Sequence, residues 1–163
     1  MADPQVVSEW LKKADEDFEF AVSIIEDSIF YAQICFHFHQ AAEKFFKSFI
    51  IAWDLEFKKI HDLQVLLKSC LTKEPNLQIL MNDCKLLNRF YIDTRYPVHW
   101  PTHYTKEEAL KAQTATKHIR DVIKNALKRF KIKLCTLRTN GLRPHSIGGK
   151  LFRLLFNWNY QKQ

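Results

Sequence analysis

Arg95 and His99 are the residues whose types and spacing could do chemistry. They stand in Thr94-Arg-Tyr-Pro-Val-His-Trp-Pro-Thr-His-Tyr104, a stretch interrupted by Pro97 and Pro101 and dense in ring side chains. A guanidinium grips a phosphate through parallel N–H donors and stabilises charge in phosphoryl transfer. An imidazole takes a proton from a ribose hydroxyl, or returns one, near neutral pH. Arg95, His99 and the alternate His103 therefore form a candidate catalytic set. Arg95, Tyr96 and Tyr104 form a candidate nucleotide-binding set, with Trp100 a further ring on which a base could stack. The plainer alternative is that Arg95 pairs with Asp93 or a neighbouring helix and that Tyr96-Pro97 only packs.

Other chemistries find little support. On a helix His37 and His39 point about 200° apart and cannot share a metal. His99 and His103 have Pro101 between them, and a zinc site would need two further ligands that the spacing does not supply. No metal and no cofactor are expected. No Ser or Cys occupies a nucleophile motif. The only glycines are Gly141, Gly148 and Gly149, so residues 1–130 hold no phosphate-binding Gly-rich loop. Cys35, Cys70, Cys84 and Cys135 form no CxxC pair, and three fall on apolar helical stripes. Buried free thiols and a cytoplasmic location are expected. Met1–Lys13 lacks the apolar run of a signal peptide.

The net charge of +7 is unevenly placed. Lys131, Lys133, Arg138, Arg143, Lys150, Arg153 and Lys162 face no acid in the tail, while basic and acidic residues balance in 1–130. Residues 131–163 thus read as a basic, glycine-containing C-terminal extension with the composition of a flexible segment, and Lys150–Trp158 as a short amphipathic piece within it.

The elements that must position Arg95 are helical. Asp3-Pro4 predicts an N-cap with Pro at the first helical position, and a helix to about Asp27 with Trp10, Ala14, Phe18, Ala21 and Ile25 inward. Its acids Asp15, Glu16, Asp17 and Glu19 are expected on a solvated face. Residues 29–53 predict a central helix, with Ile34, Phe38, Ala41, Phe45, Phe49 and Trp53 on one stripe. This segment is too polar at His37, His39, Gln40, Glu43, Lys44 and Lys47 to span a membrane. A loop at 54–60 precedes a helix from near His61-Asp62 that ends before Glu74-Pro75. A fourth helix is expected over 76–93, with Leu77, Leu80, Cys84, Leu87 and Tyr91 in register. Thr105-Lys-Glu-Glu108 is a capping box opening a last helix to about Phe130, with Ala112, Ala115, Ile119, Val122 and Ala126 inside. No strand pattern competes in 1–130. The expected fold is all-α, an antiparallel up-and-down bundle of four to five helices.

Several segments, in order, resemble the HEPN domain (higher eukaryotes and prokaryotes nucleotide-binding). They are Ala14-Asp-Glu-Asp-Phe18, Gln40-Ala-Ala-Glu-Lys44, Ile60-His-Asp-Leu63, Asp93-Thr-Arg-Tyr-Pro97 and Thr105-Lys-Glu-Glu-Ala109. The resemblance covers about residues 5–130 and leaves the tail out. It implies a homodimeric helical bundle that binds nucleotide or RNA and partners a minimal nucleotidyltransferase in a toxin–antitoxin-like pair. Many members of the family are metal-independent ribonucleases with an Arg-x(4–6)-His motif, and others are non-catalytic binding or scaffold domains. Here three residues separate Arg95 from His99 and seven separate it from His103, so neither spacing matches. A ribonuclease toxin and a purely structural oligomerisation domain stand as the alternatives. Glu43 and Lys44 are expected on the less buried edge of the central helix, facing the last helix or a second subunit.

Overall fold

Asp3 starts the first helix by accepting a hydrogen bond from the Gln5 backbone N–H at 2.8 Å, with Pro4 just behind it. The computed structural model describes the backbone of residues 3–95 and 104–139 and the side chains of 3–91 and 104–128. Helix α1 spans Pro4–Ile24 and ends slightly earlier than its apolar pattern suggests. Ile25 is its C-cap yet stays buried, so the inward stripe outlasts the helix. Ser28 then shapes the turn, its hydroxyl accepting from Phe30 N–H at 2.9 Å.

Helix α2, Tyr31–Ala52, is the centre of the bundle. Ile34, Phe38, Phe45, Phe46, Phe49 and Ile50 are all fully or almost fully buried. Burying each such side chain contributes about 1.5–3 kcal/mol relative to leaving it in water. The helix ends in a paired backbone motif, Asp54 N–H to Ile51 C=O at 3.0 Å and Leu55 N–H to Ile50 C=O at 2.9 Å. Asp54 sits in the left-handed region at φ 53°, a place glycine usually takes and an acid can also occupy.

Helix α3, Leu63–Leu71, is capped by Asp62, which accepts from Gln64 and Val65 N–H. It buries Leu63, Leu66, Leu67 and Cys70. The expected fourth helix divides in two: Pro75–Leu80 is a 3-10 turn, and α4 runs Met81–Arg95. Pro75 fixes the entry of the short segment, and α4 takes over at Met81. Leu77, Leu80, Cys84 and Leu87 are inward as predicted, joined by Phe90, whereas Tyr91 is only half-buried.

The capping box forms as drawn from the sequence. Glu108 N–H donates to Thr105 Oγ1 at 3.3 Å, and Glu108 Oε2 accepts from Thr105 N–H at 3.1 Å. It opens α5, Lys106–Thr139, which continues past the expected end at Phe130. No Gly or Pro interrupts 106–139, and the next helix-stopping signal is Asn140-Gly141. Small inward residues, Ala109, Ala112, Ala115 and Thr116, let α5 lie close to α2, and the buried Thr116 hydroxyl donates to the Phe38 carbonyl at 3.2 Å. Further along, Ile123 is fully buried where the sequence pattern favoured Val122, which is half-buried.

The chain is an all-α antiparallel bundle, with α2 packed against α1, α3 and α4. By contacts it divides into Met1–Arg129 and Phe130–Gln163. Among the described residues no helix is long and apolar enough to cross a membrane.

Candidate functional site

Arg95 is the last residue of α4. The helical register places position 95 on the same stripe as Asn88 and one turn beyond Tyr91. Tyr96, His99, Trp100 and His103 lie outside the described residues. Tyr104 is half-buried, with its ring edge-on to Phe90 at 5.3 Å, so one side of the expected stacking ring rests on the core.

Two polar clusters flank the core, and they differ in kind. The first corrects the expectation of a solvated acidic face on α1. Asp15 pairs with Arg120 Nε at 2.8 Å and with Lys124 Nζ at 2.7 Å, and Glu19 pairs with Arg120 at 2.9 Å. Arg120 also lies over the Phe18 ring at 4.8 Å. On the neighbouring face Asp17 takes both Lys44 and His37 of α2. Half-burial works to raise the Asp17 pKa, but the hydrogen bonds from His37 and Lys44 prevail and hold it below the usual range. Glu16, beside Lys12 and Lys13, and Glu19, although it pairs with Arg120, remain exposed as expected. Acids spaced along α1 thus clasp α5 and α2.

The second cluster gathers α2, α4 and the residues leading into α3. Glu43 is nearly buried and accepts from Lys47 Nζ at 2.6 Å. Its other oxygen lies 2.9 Å from His61 Nδ1. Burial pushes the Glu43 pKa up, yet Lys47 and His61 outweigh it, and the carboxyl is held below its ordinary range. Glu43 and Lys44 lie on the half-buried edge of α2, as expected; within the chain Glu43 faces His61 and Lys44 faces α1 rather than the last helix. The His61 imidazole lies nearly parallel to the Tyr91 ring, 4.9 Å between centroids and 19° between planes. Asp62 accepts from Asn88 Nδ2 at 2.9 Å, while Asn88 Oδ1 accepts from Leu63 N–H at 2.9 Å, which ties this loop to α4.

Behind Tyr91 sits His39, fully buried and 5.0 Å from that ring, with neither ring nitrogen hydrogen-bonded among the described residues. Burial pushes its pKa down to about 4, against the pull of Glu43 and of nearby polar groups on His61 and Asn88. His37, two residues away, is on the Asp17 side, so the two imidazoles have opposite surroundings, as their spacing requires.

The three described thiols offer no nucleophile. Cys35, Cys70 and Cys84 are free and buried. Burial pushes Cys35 and Cys70 up to about 12 and raises Cys84 as well. Among the described residues no group of three His, Cys, Asp or Glu could hold a metal ion.

Residues 7–126 match the family model described as "HEPN domain". The chain belongs to the HEPN family. A crystal structure of TT1696 from Thermus thermophilus is similar, with 28% identity, a TM-score of 0.66, and coverage of 73% of this chain and 96% of that one. ST0689, an archaeal HEPN homologue, is also similar, with 26% identity, a TM-score of 0.61, and coverage of 74% and 96% respectively. No curated protein matches the chain. Within this HEPN bundle, Glu43, His61 and Tyr91 are site candidates that reading for chemistry passed over. The signal for Glu43 and His61 was present in Gln40-Ala-Ala-Glu43 and Ile60-His-Asp62, which served only as marks of resemblance.

Proposed function

We propose that this HEPN chain is a nucleotide- or RNA-binding module. In this reading it acts as a homodimer and partners a minimal nucleotidyltransferase in a toxin–antitoxin-like pair. The observation that carries the reading is the register of α4, in which position 95 follows one turn after Tyr91, the residue whose ring stacks on the Glu43-bound His61. Arg95 would bind phosphate, and Tyr96 and Tyr104 would contact the base. Exposed apolar side chains at the α1–α2 turn, Ile29 and Phe30, support pairing with a second chain. Binding is preferred over ribonuclease activity with Arg95 and His99 or His103 because neither histidine has the family's spacing.

The test is fluorescence polarisation with labelled ATP and labelled single-stranded RNA. Arg95→Ala is expected to weaken binding roughly 10- to 100-fold, the effect of losing a charge-assisted hydrogen bond to phosphate. Equal binding by wild type and Arg95→Ala, or no binding by either, overturns the reading.

A further inference from the structure

His39 is fully buried, and neither of its ring nitrogens has a hydrogen-bond partner among the described residues. A core that only needed filling would be more stable with an apolar side chain there, because an unpaired buried polar group costs stability. Its cover is thin. The Tyr91 ring lies against it, 5.0 Å between centroids and 32° between planes. Tyr91 is itself half-buried and also stacks on the half-exposed His61. Displacing Tyr91 is therefore the short route for water to His39. Tyr91 belongs to the end of α4, which stops one turn later at Arg95.

The polar groups that face His39 are already engaged. On its own helix Glu43 draws a proton toward it, but that carboxylate is met by Lys47 Nζ at 2.6 Å and His61 Nδ1 at 2.9 Å. From α4, Asn88 accepts from Leu63 N–H and donates to Asp62. From the residues before α3, His61 adds a backbone acceptor and, when its ring is charged, repulsion. Next to this group Thr116 of α5 gives its hydroxyl to the Phe38 carbonyl. Burial prevails over these pulls and pushes the His39 pKa from an ordinary 6.5 down to about 4.

We infer that protonation of His39 displaces Tyr91 and opens the last turns of α4 while the rest of the bundle stays folded, a proton-operated latch on the segment that ends at Arg95. An imidazolium needs acceptors that this part of the core does not supply, and water supplies them once Tyr91 moves. Withdrawing α2 instead would expose Phe38, Phe45 and Phe46, all fully buried. Helix ends open at far lower cost than a packed centre. The closed form keeps its full advantage above pH 6.5 and loses it as pH falls toward 4. The latch stands without the nucleotide-binding reading, although it acts on the same end of α4.

Amide hydrogen exchange on the full chain tests the latch, with protection corrected for the pH dependence of intrinsic exchange. Between pH 7 and about pH 5 the protection of amides 89–95 is expected to fall roughly 20-fold, the change that pKa values of 6.5 open and about 4 closed produce. Amides at the centre of α2, Phe45–Ile50, should keep theirs. His39→Leu removes the titrating group, so the fall should vanish in that variant. Unchanged protection in wild type, an equal fall in α2, or a fall that persists in His39→Leu overturns the inference. Tyr91→Ala gives an independent reading by NMR titration of the His39 ring. With its cover gone, the pKa should rise from about 4 toward 6.5. A value still near 4 in that variant overturns the inference as well.

Discussion

The Asp15–Arg120–Lys124 cluster and the Glu43–His61–Tyr91 cluster are built from similar polar side chains, yet they end differently. In the first, Asp15 meets two cations, Arg120 also reaches Glu19 and covers Phe18, and the contacts join α1 to α5. In the second, Lys47 and Glu43 are nearly buried and satisfied, but the last member, His61, keeps one ring nitrogen unbonded among the described residues, on a half-exposed side chain. Saturated polar clusters hold helices together; one that stops short of saturation leaves a group able to meet a ligand. The difference lies in where each cluster ends relative to solvent, since the residue types are much the same.

The comparison can be broken most severely at its buried member. Lys47→Met leaves the Glu43 carboxylate nearly buried with only His61 beside it, and removes a cation lying over the Phe57 ring at 5.5 Å. A loss of about 3–4 kcal/mol is expected, read as a lower urea midpoint with an unchanged m-value. A loss under about 1 kcal/mol would place this pair with ordinary surface pairs.

Acid should act next, through His39. Its pKa is about 4 in the fold against an ordinary 6.5, so the unfolded chain binds the proton first. The stabilisation is fully present above 6.5 and is lost as pH falls from there toward 4. The loss amounts to at most about 3 kcal/mol. Urea titrations across that window should show this decline in wild type and a flatter profile in His39→Leu. Matching profiles would mean that His39 is not buried neutral.

The smallest expected effect lies in the α1–α5 clasp. Arg120→Met should cost about 1 kcal/mol, because the pairs are partly solvated and Lys124 still meets Asp15. The cost should shrink as salt is raised, whereas the cost of Lys47→Met should persist, since surface pairs are screened more than buried ones. Equal salt sensitivity in the two variants would erase the distinction between the clusters.

How much of this was legible depended on range. The α2 stripe, the Asp3 and Asp62 caps and the Thr105–Glu108 box are local patterns, readable because a helix repeats every 3.6 residues and its ends leave donors for nearby side chains. Boundaries were less legible. The 3-10 turn at Pro75–Leu80 carries the same apolar spacing as a helix, and α5 runs on to Thr139 through residues that resemble a tail in charge but hold no breaker. Asp15 of α1 was misread because its partners Arg120 and Lys124 lie far along the chain, where no spacing rule reaches. The His61 site was missed for the same reason, since Glu43, His61 and Tyr91 are ordinary residues until packing joins three segments.

The sequence by itself determined that this HEPN chain is all-helical, that α2 is its core, that three cysteines fall on apolar stripes, and that the excess positive charge belongs to residues 131–163. Each follows from composition or short-range periodicity, which act along the chain. Packing between helices settled which of two histidines on α2 is buried, which acids are clasped, and where an imidazole keeps a nitrogen unbonded among the described residues. Those outcomes depend on distances between helices, set by how large Phe side chains on α2 and small Ala side chains on α5 fill one core, and packing of that kind has no signature in any single segment.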